Sequence, residues 1–401
     1  MGEKINTIWL TQINNMKRLI IITNGTLPVP AVCGGAVEQL TQSIIDENER
    51  RHHFDIVVFT SDYKNIKNKQ EFYKNSDFFT VKTGCKFYII KKIYFYILKK
   101  IGATKKNAFI NEVIKSGVII NEYDFIVVEN NPFYILALRE TFKKNKILLH
   151  LHNDYINVEN YHFSKAVIMG ADLILTVSKF IKDRVDNVYD KSNTRLLYNG
   201  IDIDAFKNNS KNSIFLKKKY NISNELIFLY TGRIEKSKGV HLLIGAFEKL
   251  GIQNSKLLIV GDYENSELKD YLLSSAKNNK NIIPVGYVKN NEISDYYHLS
   301  DIGVFPSLSN EAFGLTVLEA ISSSLPVIIS DAGGMQEVID ESCGLIVKKN
   351  NELELIKAMV FLASDQELRE SMGIKARERS KKFSVGCYNN EFIDFVDEGR
   401  E

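Results

Sequence analysis

Two pairs of charged residues in this 401-residue chain have types and spacing suited to chemistry. They are Arg233 with Lys238, and Glu311 with Glu319. Glu311 lies in a polar stretch after Phe305-Pro306, and the segment Gly314-Leu315-Thr316-Val317-Leu318-Glu319 has the pattern of a helix start. With Glu311 in the loop and Glu319 about a turn and a half into the helix, two carboxylates can grip different hydroxyls of one ligand. Glycine at the junction admits a ligand close to exposed backbone N–H groups, and a helix N-terminus favours an anion. Arg233 and Lys238 follow the apolar run Leu226–Thr231, where α/β sheets hold their ligands. A guanidinium fork and a mobile ammonium there can neutralise a diphosphate. Each pair also has a plainer reading: solvated helix and loop acids, and a basic loop interleaved with Glu235 and Lys236. Gly34-Gly35, just before the helical pattern of Val37–Asn48, can bring main-chain donors near a phosphate or simply make a turn. His152 ends an apolar run (Ile147, Leu148, Leu149, Leu151) in which His150 also sits, and either histidine could be a core residue.

Positioning these residues requires strands that end beside one another. The chain alternates short apolar runs with helix-length amphipathic segments, the pattern of parallel α/β sheets. The first half offers strands at 18–23, 55–60, 125–129, 146–152 and 173–177. The second offers 226–231, 256–260, 282–285, 302–306, 327–330 and 344–347. Expected helices include Val37–Asn48, Gly239–Lys249 and Glu311–Ser322, with a final helical stretch, 369–397, interrupted near Phe383-Ser384. The turn signal Asn199-Gly200 divides the chain into an N-terminal domain, 1–198, and a C-terminal domain, 199–383. Residues 384–401 are expected to pack back on the first domain, and 1–15 read as an extension ahead of Met16-Lys17-Arg18. There is no GxGxxG after the first strand and no GxxxxGK(S/T) loop, so the dinucleotide-binding and P-loop signatures are absent.

Composition agrees with two globular domains: 44% hydrophobic residues, 25% charged residues and only six prolines. Cys33, Cys85, Cys343 and Cys387 are scattered, with no CxxC, which argues against a zinc or disulfide scaffold and fits a reducing cytoplasm. The net charge of +3 conceals an asymmetry. Residues 1–198 hold 28 basic and 20 acidic side chains, whereas 199–401 hold 24 and 29. Much of the basic excess lies in Lys82–Lys106, which contains no acidic residue. Within it, 87–101 suits a helix with Ile90, Ile93, Ile97 and Ile101 on one stripe and lysines and aromatics on other faces. That composition fits either an interfacial membrane binder or an ordinary packed helix with a solvated face. Nucleic-acid binding is disfavoured because no recognised module accompanies the charge. No apolar run reaches the length of a membrane span, and no signal-peptide pattern opens the chain.

The stretch from Pro306-Ser307 through Glu319-Ala320 to Pro326-Val327-Ile328 resembles the Glu-x7-Glu signature of retaining GT-B glycosyltransferases, family 4 (the group 1 type). Thr231-Gly232-Arg233 through Lys238-Gly239, Val260-Gly261, Gly286-Tyr287-Val288, Tyr198-Asn199-Gly200-Ile201-Asp202 and Gly333-Gly334-Met335-Gln336-Glu337 resemble further family segments in order and spacing. So do Gly34-Gly35 and His152-Asn153-Asp154 in the first half. The resemblance covers roughly 17–385. It implies two Rossmann-like domains facing across a cleft, with the nucleotide sugar on the C-terminal domain and the acceptor on the N-terminal one. It assigns catalytic positions to His152, Arg233, Lys238 and Glu311. Donor contacts fall to Gly34, Gly35, Arg233, Lys238, Gly261, Tyr287, Val288, Glu311, Phe313, Gly314, Leu315, Thr316 and Glu319. By the same resemblance His152 holds the donor sugar, Glu311 its hydroxyls and Glu319 the ribose. Backbone near Tyr287-Val288 meets the base, and the N–H groups of Leu315 and Thr316 meet the distal phosphate. Two departures stand out: Ser322-Ser323-Ser324-Leu325 before Pro326, and Asp262-Tyr263 after Gly261 where a second glycine is usual. The second puts ligand contacts from that loop in question.

The expectation is a metal-independent hexosyltransferase, with no cofactor beyond the nucleoside-diphosphate sugar, a UDP-sugar by preference. The expected acceptor is a saccharide, lipid-linked, in bacterial envelope or capsular polysaccharide synthesis. Placement is cytoplasmic, peripheral on the inner membrane face if Lys86–Lys106 meets anionic lipid. Competing readings are a soluble small-molecule or protein acceptor, and a non-catalytic partner of such an enzyme.

Overall fold

Runs such as Leu19-Ile20-Ile21-Ile22 and Ile126-Val127-Val128 carry no polar alternation, so strands built from them must be covered on both faces. The computed structural model describes residues 17–81, 108–119, 124–190, 192–207 and 213–398, and in it these runs are fully buried in a parallel sheet. Contacts gather the chain into two units. One comprises the residues up to Val177, 181–197 and those from Asn389 onward; the other comprises 178–180 and 198–388.

The first unit holds a seven-stranded parallel sheet in the order β3-β2-β1-β4-β5-β6-β7. Its strands are β1 (Lys17–Ile22), β2 (Phe54–Ser61), β3 (Ser76–Val81), β4 (Phe125–Glu129), β5 (Lys146–Leu151), β6 (Leu173–Thr176) and β7 (Thr194–Leu196). The order reverses between β1 and β4, the topological switch of a doubly wound sheet. Two strands escape the sequence reading for identifiable reasons. β3 is an edge strand with a half-exposed, Asp-containing pattern, and β7 is only three residues long. The Val385–Glu398 helix joins this unit from Asn389 onward. Asn389 exchanges hydrogen bonds with Ser43, Arg51 donates to Asn390, and Lys17 pairs with Asp397.

The second unit holds a six-stranded parallel sheet in the order β10-β9-β8-β11-β12-β13. These are β8 (Leu226–Thr231), β9 (Ser255–Val260), β10 (Ile282–Gly286), β11 (Ile302–Phe305), β12 (Val327–Ser330) and β13 (Gly344–Val347). Phe228, Leu243, Leu257, Ile302, Ile328 and Met359 pack in one core beside it. Each such side chain contributes roughly 1.5–3 kcal/mol by leaving water. Here the order reverses between β8 and β11, so the loops after Thr231 and Phe305 emerge side by side. The helix expected from Glu311 begins only at Leu315, because Glu311 bridges to Gly333 in extended conformation. The C-terminal helical stretch breaks at the 3-10 turn Lys381–Phe383, as expected. The lysine-rich segment Lys82–Lys106, with Cys85, and residues 1–15 lie outside the described residues.

Candidate active site

The loops at the β8/β11 switch pack so closely that only glycine fits between them. Gly239 adopts φ +70°, and a Cβ there would stand 2.0 Å from the Pro306 carbonyl oxygen. Likewise, a Cβ on Gly261 would stand 1.8 Å from the Gly232 carbonyl oxygen. The backbone of Leu308 and Ser309 donates to the Ser237 carbonyl at 2.8 and 3.2 Å, stitching the two loops together. This proximity unites residues that the sequence holds 73 positions apart. Lys238 Nζ lies 2.6 and 2.7 Å from the two carboxylate oxygens of Glu311. Ser307 Oγ donates to Glu311 Oε1 at 2.6 Å, and both partners of the ion pair keep about a fifth of their side-chain surface exposed.

Arg233 occupies the same loop but points outward. Its side chain is 73% exposed and pairs with Glu235 at 2.9 Å, while its carbonyl accepts from the buried Tyr230 hydroxyl at 2.7 Å. Burial first, then the Glu311 charge, hold the Tyr230 phenol well above its ordinary range, so it stays a donor. The loop after β9 braces this one. Ile234 N donates to Asp262 O at 2.8 Å, and Ile234 bridges Tyr263. The departure at Asp262-Tyr263 therefore serves as scaffold for the Arg233 loop. Gly261 N donates to Gly286 O, which sets Tyr287 beside this loop, 71% exposed, with Val288 partly so.

Gly314, at φ +126°, caps the Leu315–Ser322 helix. No side chain caps that end and its first turn holds no acid, so the first N–H groups near Leu315 and Thr316 remain for an anion. Phe313 is buried, in edge contact with Phe383 and tilted against the Tyr198 ring. Glu319 turns away from Glu311. Its carboxylate accepts from Tyr297 Oη at 2.8 Å, and the Tyr297 oxygen also lies 2.7 Å from Thr231 Oγ1. Burial raises Glu319 to about 7, against the opposing hydrogen bond from Tyr297. Tyr297, fully buried, was invisible to sequence reasoning: nothing in Ile293–Leu299 marks which tyrosine faces the switch.

In the first unit, Gly34 and Gly35 have φ +74° and +95°, and Gly35 caps the Ala36–Arg51 helix without a side-chain cap. A Cβ on Gly35 would collide with Glu38, which accepts from Asn24 at 3.0 Å. His152 is only 8% exposed. Its Nε2 faces Glu129 Oε2 and His150 Nδ1, each at 3.2 Å, and its backbone N–H donates to Asn130. Burial by itself would raise Glu129, but the charge and hydrogen bonds of the two histidines bring it down to about 2. The parallel register pairs Glu129 with His150, a contact that spacing along the chain does not reveal. Cys33, Cys343 and Cys387 are all free. No helix among the described residues is long and apolar enough to cross a membrane.

Residues 212–379 match the family model described as glycosyl transferases group 1. The chain is 30% identical over 240 residues to the capsular polysaccharide biosynthesis glycosyltransferase CapM of Staphylococcus aureus, covering 56% of this chain and 61% of that protein. It is 27% identical over 271 residues to a Campylobacter jejuni protein, covering 63% of this chain and 70% of the other. That protein is named N-acetylgalactosamine-N,N'-diacetylbacillosaminyl-diphospho-undecaprenol 4-alpha-N-acetylgalactosaminyltransferase. Among solved structures, Anabaena HepE in complex with UDP superposes with a TM-score of 0.75 at 17% identity, over 96% of this chain and all of the other. The fold is therefore that of the GT-B glycosyltransferases, with its two Rossmann-like sheets.

Proposed function

With a glycosyl transferases group 1 domain at residues 212–379 as premise, we propose that this chain transfers a hexosyl or N-acetylhexosaminyl unit from a nucleoside-diphosphate sugar. A UDP-sugar is the preferred donor, and the anomeric configuration is retained. The observation that carries this reading is the Lys238–Glu311 pair, set between two switch-point loops and beside an uncapped helix N-terminus. An ammonium held by one carboxylate is a cation in waiting. An arriving diphosphate competes for Lys238 and leaves Glu311 free to accept from sugar hydroxyls. Arg233, exposed on the adjoining turn, supplies the second cation, and the N–H groups of Leu315 and Thr316 receive the distal phosphate.

The bond from the anomeric carbon to the phosphate oxygen breaks, and the acceptor oxygen bonds to that carbon from the same face. The acceptor proton passes to the departing phosphate oxygen. Arg233 and Lys238 neutralise the charge that grows there, so the diphosphate needs no metal. Glu319, whose pKa of about 7 leaves it divided between neutral and ionised forms near neutral pH, is suited to donate as well as accept a hydrogen bond at the ribose. The names of the relatives support a saccharide acceptor carried on a lipid diphosphate, in envelope or capsule synthesis. UDP in HepE supports the choice of donor. Peripheral attachment to an anionic membrane belongs to the same reading and rests on the lysines of 86–106.

The test is a screen of UDP-, GDP-, dTDP- and ADP-sugars, read by nucleotide release and thermal shift. One donor is expected to stabilise the protein, and an Arg233→Ala/Lys238→Ala variant is expected to lose that response. An equal response in the variant would reject the site. The anomeric configuration of the product tests retention. Flotation with anionic vesicles, repeated after removing the lysines of 91–100, tests the membrane.

A further inference from the structure

We propose that Glu129, His150 and His152 form a binding site for a divalent first-row transition ion, zinc by geometry, in the first unit. Three ligand atoms converge there: Glu129 Oε2, His150 Nδ1 and His152 Nε2. All three separations are 3.2 Å. Zinc bonds of about 2.0–2.1 Å in a tetrahedron place neighbouring ligand atoms about 3.3 Å apart, so the triangle matches one face of that tetrahedron. Two imidazoles with one carboxylate are also the donor set that suits such an ion.

Glu129 Oε2 has two lone pairs and faces both ring nitrogens at 3.2 Å, which also stand 3.2 Å from each other. Hydrogen bonds to the carboxylate leave the two nitrogens as like neighbours, whereas a cation is attracted to all three atoms at once. A second observation points the same way. Glu129 Oε1 is buried and has no hydrogen-bond partner, in a side chain only 1% exposed. It is available as a further contact from the same carboxylate. Glu129 and His150 stand in register on adjacent strands, and His152 stands one residue past the end of β5, so two of the three ligands rest on strands. The ion would pin the ends of β4 and β5 and fix the His152 ring.

The test uses the full chain, freed of metal with a chelator and without nucleotide, so its outcome is independent of the donor reading. Zn(II) is titrated against a chromophoric chelator and Co(II) is followed by its visible ligand-field bands. One tightly bound ion per chain is expected, with the intense bands of low coordination number. Paramagnetically shifted imidazole N–H signals in the wild-type Co(II) adduct should count two histidines, a reading that needs no variant to fold. Glu129→Gln and His152→Asn, checked for cooperative unfolding, should each weaken binding more than about 100-fold, beyond the usual effect of losing an outer-shell partner. The exposed pair His52→Ala/His53→Ala should leave affinity unchanged. Absence of stoichiometric binding overturns the site, as does a shifted-imidazole count other than two. Unchanged affinity in both cluster variants, or its loss in the surface pair, does the same.

Discussion

Lys238 offers the sharpest test of the donor site, because its ammonium is neutralised before any donor arrives. Replacing it with methionine keeps most of the stem and removes the charge that sits 2.6 and 2.7 Å from the Glu311 oxygens. A unit charge about 4 Å from a second one is worth about 4 kcal/mol at the effective dielectric of a partly exposed site. Both side chains here keep about a fifth of their surface in solvent, which trims that figure to about 3 kcal/mol. If the charge acts on the departing diphosphate, Lys238→Met should lower kcat roughly 10²-fold, since about 1.36 kcal/mol is tenfold in rate. Lys238→Arg should recover part of the loss. Folding should suffer little, because Glu311 keeps the Ser307 hydroxyl and can be solvated, so Tm should move by only a few degrees. The assay is nucleotide release under saturating donor, with kcat and KM separated. A kcat within fivefold of wild type, or a loss seen only in KM, would refute the reasoning. It would mean that Lys238 holds the ground state and not the leaving group.

Glu319 makes stability depend on pH in an unusual direction. Its folded pKa, raised from 4.5 to about 7, means that the folded chain binds a proton which the unfolded chain has already released. Stability should therefore be highest below about pH 4.5 on this account and fall as pH rises towards 7, by roughly 3 kcal/mol at most. Urea unfolding from pH 5 to 8 should show this slope in the wild type and lose it in Glu319→Gln. Tyr297→Phe removes the hydrogen bond that lowers the Glu319 pKa. The slope should then extend to higher pH, with a further loss of about 1–3 kcal/mol, measurable in the same experiment. Gly239→Ala places a Cβ against the Pro306 carbonyl at positive φ, so thermal unfolding should drop by the equivalent of about 2–4 kcal/mol. Surface substitution at Lys236 one turn earlier should leave Tm nearly unchanged.

Apolar runs without alternation, such as 19–22 and 257–260, determined by themselves that the chain builds buried parallel sheets, because no other element hides both faces of so short a segment. Glycines and charges at strand ends marked the C-terminal loops, since their types carry meaning wherever the chain folds. Sequence alone missed β3 and β7, whose half-exposed or three-residue patterns are too weak to identify locally. Only the tertiary structure decided which distant groups meet. Lys238 finds Glu311 because strand order reverses between β8 and β11. Glu319 meets Tyr297, reached from a separate helix, and burial there raises its pKa against that hydrogen bond. Glu129 joins His150 and His152 because β4 and β5 pair in one register. The physical reason is common to all three. Electrostatic and coordination chemistry fall off within a few ångströms, and distances of that order across a sheet are set by strand order and register, which a linear spacing does not encode.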